Sequence, residues 1–274
     1  MDILFALLAS ALVLALGSSI GSFINVIAYR LPAGLSLLWP PSRCPHCLHQ
    51  LGRRENVPVL GWLWLKGRCH HCKTAISSRY PIVEAVTGIL FLWIFWSFWN
   101  NPLQMLGYWV FATWLLALTL IDIDTMTLPN ALTKSGLVLG LAFQGFRGFM
   151  HQGSLVEGSH YLMSGIIGAV IGIWLFDIIA FGGSMAFGQA AMGGGDAKLA
   201  AMMGAWLSWK YLLLAGFLAC ALGAFVGGGA IALGWLNRRQ PMPFGPFLAL
   251  GALLTIFWGR AIISTYMQIF FPTI

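Results

Sequence analysis

Charge is what this chain has least of: Asp, Glu, Lys and Arg supply 8% of its 274 residues, against roughly 25% in an average soluble protein. Hydrophobic residues supply 59%. A soluble domain of this length cannot hide so much apolar surface, so the composition points to an all-α polytopic protein of the lipid bilayer. Basic patches interleaved with aromatics are missing, and the formal net charge is only +7; nucleic-acid binding is therefore not expected. The pattern Gly-x4-Gly-Lys-Ser/Thr is missing too, so the glycines at 193–195 do not form a phosphate-binding P-loop. Cysteine is scarce, with four of the five in two close pairs and Cys220 alone in an apolar stretch, where it reads as a small apolar residue.

Apolar runs at 3–28, 81–99, 103–121, 131–149, 161–181, 197–209, 211–236 and 246–270 predict about eight transmembrane helices. The 197–209 run is short, so a re-entrant segment or seven spans also fits. No basic residue precedes the first run, which is long enough to span and reads as a retained helix rather than a signal peptide. Three parts are expected: a first helix at 1–28, a polar block at 29–80 and a seven-helix membrane region at 81–274. Counting crossings places the block and the loops at Asp122, Asp196 and Asn237 on one side. That side holds twelve of the fifteen Lys and Arg, including Arg238 and Arg239, and is expected to be cytoplasmic.

The polar block carries Cys44-Pro-His-Cys47 and Cys69-His-His-Cys72, separated by 21 residues. Two such knuckles can give four thiolates to one tetrahedral Zn2+, and a cytoplasmic setting opposes disulfides. Nothing in the pattern leaves an open coordination position, so the metal is expected to be structural. A redox pair and an unmetallated loop are the alternatives.

Two further stretches carry acids in apolar surroundings: Asp122-Ile123-Asp124-Thr125-Met126-Thr127-Leu128-Pro129-Asn130 and Met192-Gly193-Gly194-Gly195-Asp196-Ala197-Lys198. Carboxylates within membrane helices are costly, and each is a functional candidate by default. Asp122 ends one helix and Asp196 opens another, at similar depth. If the two approach, they share a proton, and the pair can activate water with one carboxyl while polarising a carbonyl with the other. Asp124 is the alternative to Asp122, and Asp196 could instead cap its helix. Lys198 could stabilise a charged Asp196 or hold substrate. Asp177 is expected to pair or snorkel rather than cut, and Glu84 with Arg79 reads as an interfacial ion pair.

These pieces occur in an order that resembles the bifunctional prepilin peptidases of type IV pilus and type II secretion systems, which are Gly-x-Gly-Asp intramembrane aspartyl proteases. The match runs from Gly21-Ser22-Phe23-Ile24-Asn25-Val26 through both cysteine pairs, Glu55-Asn56-Val57-Pro58-Val59, Ser78–Glu84 and the two acid stretches to Pro243-Phe244-Gly245-Pro246. The resemblance implies Asp122 and Asp196 as catalytic acids, supported by Gly193, Gly195 and Lys198. It implies a prepilin or pseudopilin precursor as partner, cut between a basic leader and an apolar helix at the cytoplasmic face of the bacterial inner membrane. It also implies N-methylation of the new N-terminus with S-adenosylmethionine, for which Glu55, Asn56 and Pro58 are candidate cofactor residues. The rival reading is a proton-coupled transporter relaying ions through Asp122, Asp177 and Asp196, although inverted-repeat symmetry is missing.

Overall fold

Long apolar runs satisfy their backbone internally as helices, and in this computed structural model they do so throughout residues 3–187, 193–235, 237 and 242–271, the residues the structure describes. The helices are α1 (Ile3–Arg30), α2 (Leu60–Trp64), α3 (Arg79–Ser97), α4 (Pro102–Thr125), α5 (Asn130–Gln152), α6 (Leu155–Phe187), α7 (Gly194–Ala232) and α8 (Gly245–Phe270). No sheet occurs among the described residues, only two isolated bridges. Met192, Arg238 and Arg239 lie outside the described residues. The chain divides into two compact units, Met1–Ala117 and Leu118–Ile274.

In the first unit α1 and α3 lie close together, because small residues let their backbones approach. A Cβ on Gly21 would come within 2.8 Å of the Glu84 Cα, and one on Gly17 within 2.9 Å of the Gly88 Cα. The Asn25 side-chain amide donates to the Tyr80 carbonyl at 3.2 Å. Glu84 is buried, and its carboxylate accepts the Val59 N–H at 2.6 Å, tying the polar block to the start of α3. Trp109 stacks on Phe91 and donates its indole N–H to the Phe91 carbonyl at 2.9 Å.

In the second unit α5 ends at Gly153, in the left-handed conformation (φ 64), and α6 begins two residues later. The 151–160 stretch was expected to be a break, but most of it is helical. Helices need not end where the hydrocarbon does, and 33 residues in α6 rise about 50 Å, well beyond the roughly 30 Å core.

The expected break near Ser208–Lys210 is present inside α7, where Ser208 takes φ 67, ψ 168. There the chain doubles back. Gly172 of α6 lies against the Ala200 carbonyl, whereas Phe176, one turn along α6, lies against Gly216. On a straight helix Ala200 and Gly216 would be about 24 Å apart, and one turn of α6 covers only about 5.4 Å. The conformation at Ser208 is strained for a residue with a side chain, and Gln144, itself buried, holds it by donating to the Ser208 hydroxyl at 2.7 Å. Among the described residues, and with α7 counted as two arms, the long helical segments number eight, in line with the about eight that the apolar runs predict. Six helices among the described residues, with α7 counted once and α5 left out, are long and apolar enough to cross a membrane.

Candidate active site

Asp122 lies one turn from the end of α4, which closes with Met126 in the left-handed region (φ 49), its N–H donating to the Asp122 carbonyl at 2.9 Å. The Asp122 side chain is 5% exposed, whereas Asp124, rotated about 200° around the helix, is exposed. Of the two acids in Asp-x-Asp, burial therefore singles out Asp122. Its Oδ2 accepts the backbone N–H of Gly245 at 2.9 Å. No signal in the sequence marks that contact, although Gly245 belongs to the Pro-Phe-Gly-Pro stretch that carries part of the resemblance.

Asp196 is 8% exposed and sits in the first turn of α7. It does not cap the helix: Gly193 is the N-cap, and its carbonyl accepts the Asp196 N–H at 3.1 Å. Two contacts join the acid stretches. A Cβ on Gly195 would stand 3.1 Å from the Leu128 Cβ, so Leu-Pro-Asn packs directly on the glycine run. Lys198 Nζ donates to the Asn130 side-chain oxygen at 2.8 Å. Of the supporting residues expected from the sequence, Gly195 and Lys198 make contacts across the site, while Gly193 faces open space and contributes its carbonyl. Leu128 and Asn130 are additional site residues whose roles depend on partners that the sequence does not reveal.

The cysteine pairs form a second centre, inside the first unit. Each knuckle is built alike: Cys44 N–H donates to the His49 carbonyl and Cys69 N–H to that of Thr74, both at 2.9 Å. Leu48 and Lys73 take the same place after each pair with φ of 57 and 59. The bridges Arg43–Gln50 and Arg68–Ala75 close the two loops. All four sulfurs lie within 4.8 Å of one another, with Cys44–Cys72 at 3.8 Å and Cys47–Cys69 at 3.9 Å. A tetrahedron with zinc–sulfur bonds of about 2.3 Å has edges of about 3.8 Å. The cluster therefore fits a four-coordinate metal with no open position. Hydrogen bonds from the Thr74 side chain and backbone bring the Cys72 thiol down to about 6. Cys47, despite a backbone hydrogen bond at His49, is pushed up to about 11 by desolvation and its neighbouring thiols. Four thiols this close resist ionising together, and a bound cation removes that conflict.

Glu55, a candidate cofactor residue, is engaged inside the block. Its carboxylate accepts the Gly52 N–H at 2.9 Å and lies 3.7 Å from His70, and its carbonyl backs onto Gly61. The hollow beside the second knuckle is lined by Leu65, Lys66, Arg68, Cys69, His70 and Lys73. Its cationic rim does not suit a sulfonium, and no methyl-transfer step is derived through it.

Comparison with known proteins identifies the family. The bacterial peptidase A24 N-terminal domain matches residues 15–98, and the type IV leader peptidase family matches residues 109–228. A prepilin leader peptidase/N-methyltransferase of Stutzerimonas stutzeri is 35% identical, over 93% of this chain and 92% of its own. Those of Aeromonas hydrophila and Pseudomonas aeruginosa are 36% and 34% identical, over 95% and 92% of this chain and 94% and 91% of their own. No solved structure matches the chain. With both of its halves matched and relatives of this identity covering nearly its full length, the chain belongs to the type IV leader peptidase family.

Proposed function

We propose that this protein is an intramembrane aspartyl endopeptidase that removes the leader of a prepilin or pseudopilin precursor, with Asp122 and Asp196 as its acid pair. The observation that carries the reading is that two buried carboxyls, more than seventy residues apart in the chain, sit at the ends of apolar helices on stretches that touch, Gly195 against Leu128 and Lys198 against Asn130. A pair at helix ends is reachable by water, which hydrolysis needs and the bilayer centre denies.

In this mechanism one carboxylate takes a proton from water as the oxygen attacks the scissile carbonyl, while the protonated partner donates to the carbonyl oxygen. The tetrahedral intermediate then collapses, and the leaving amine takes a proton from the pair. Gly245 N–H donates to Asp122 Oδ2 and so orients that carboxyl. The precursor suits this placement: an apolar helix stays in lipid while its polar leader reaches the acids.

The polar block, 29–80, acts as a metal-bound platform on the cytoplasmic side, and 81–274 as the peptidase region. Cys44, Cys47, Cys69 and Cys72 would hold a structural Zn2+, which would supply rigidity rather than chemistry. The relatives' printed names include an N-methyltransferase activity; methylation of the new N-terminus with S-adenosylmethionine as donor is the form of it that the resemblance implies. The transporter reading has no support in the comparisons. Cleavage of a membrane-embedded precursor by purified protein tests the proposal: Asp122→Asn or Asp196→Asn should each abolish it, and full activity in either would reject the pair.

A further inference from the structure

Asp177, in α6, is an acid of the spanning helices that the mechanism leaves unused. Along α6 the contacts with the first arm of α7 run in opposite directions: Gly172 meets the Ala200 carbonyl and Gly168 meets that of Gly204. One turn beyond Gly172, Phe176 is therefore level with Asp196. A second contact agrees. The Phe176 ring, 1% exposed, lies 6.4 Å from that of Phe244, whose neighbour Gly245 binds Asp122.

The residue after Phe176 is Asp177. A helix turns about 100° per residue, so while Phe176 faces the bundle, Asp177 faces out and is exposed. It lies in an apolar hollow of about 260 Å³ with Ile173, Trp174, Ile178 and Phe181. Trp174, Ile178 and Phe181 are 68%, 62% and 69% exposed, so this helix face has no cover among the described residues. No described residue pairs with the Asp177 carboxylate. An unpaired acid on a lipid-facing apolar stripe, level with the cutting pair, calls for a cation carried by something that itself lies in the membrane.

We propose that Asp177 is a substrate-positioning residue that holds a basic side chain of the precursor's leader against the outer face of α6. The inference rests on the peptidase reading and names the feature of the precursor that the site selects. Asp177 is level with Asp196, and a helix with its side chains is about 10 Å across. About three extended residues cover that distance, so the recognised base should lie about three residues before the bond that is cut.

The experiment measures cleavage of a reconstituted precursor by wild-type, Asp177→Asn, Asp177→Lys and Asp177→Glu protein, with wild-type melting behaviour in detergent as the folding control. Asp177→Asn should raise KM about tenfold with kcat nearly unchanged, Asp177→Lys should raise it further, and Asp177→Glu should restore it. Replacing the leader base by Glu should cost the wild type as much, and should rescue Asp177→Lys. Unchanged KM in the Asn and Lys variants would reduce Asp177 to a side chain reaching for the interface and overturn the proposal while leaving the peptidase intact. A lost kcat at saturating precursor in a folded Asp177→Asn variant would overturn it in favour of a catalytic role. Failure of the wild type to cleave would remove the peptidase reading itself.

Discussion

The Gly245 N–H donates to the Asp122 carboxylate at 2.9 Å, and a Cβ added to Gly245 would stand 2.7 Å from that same Oδ2. A side chain at 245 must therefore displace the carboxyl that the backbone orients. The displaced group is the free end of a side chain, so the fold can accommodate the change while the reacting geometry cannot. Gly245→Ala should melt within about 1 kcal/mol of wild type, yet cleave on the order of a hundredfold more slowly, as misplacement by about 1 Å does elsewhere. Thermal unfolding measured beside single-turnover cleavage separates the two effects.

Burial distinguishes the two acids of Asp-x-Asp. Asp122 is 5% exposed and Asp124 is exposed. Asp124→Asn should therefore leave measurable cleavage where Asp122→Asn leaves none. Silence of Asp124→Asn in a folded protein would move the catalytic acid by two residues.

Lys198 bonds to Asn130 at 2.8 Å on an exposed surface. A net hydrogen bond there contributes about 0.5–1.5 kcal/mol, so Lys198→Ala should slow cleavage by about two- to tenfold. If Lys198 acts through Asn130, Asn130→Ala should give the same loss, and the double variant should be no worse than either single one. Additive losses would mean that Lys198 touches substrate or Asp196 directly.

The four sulfurs should bind about one zinc per chain, the stoichiometry of a single closed tetrahedral site. Cys44→Ser with Cys47→Ser should lose it by elemental analysis, and residues 29–80 should become sensitive to limited proteolysis. The contacts that set the acid pair lie within Leu118–Ile274, so precursor cleavage should stay within about tenfold of wild type. A metal-free variant with a protease-resistant block would reject the structural role.

Much of this site is readable in the chain. Low charge and long apolar runs require helices in lipid, because only internally bonded backbone survives there. Each cysteine pair is a local loop whose spacing places both sulfurs on one knuckle, so the metal cluster follows once two knuckles face each other. Asp122 and Asp196 stand out because ionisable groups are rare in such surroundings. The turn at Ser208 was signalled by Ser-Trp-Lys interrupting two apolar runs.

The remainder depends on distance along the chain. Gly245 reaches Asp122 across 123 positions, and Lys198 reaches Asn130 across 68; such contacts leave no periodic trace in the residues between them. Glu84 holds the Val59 backbone, a partner set by how the polar block returns to the start of α3. The choice of Asp122 over Asp124 and the level of Asp177 likewise come only from packing. Composition and spacing determined that this is a helical membrane protein with a four-cysteine cluster and two costly acids, because solvation and local geometry act residue by residue. The tertiary structure decided which carboxyl is buried, what orients it and which face of α6 is left bare, because those depend on where distant backbones are small enough to touch.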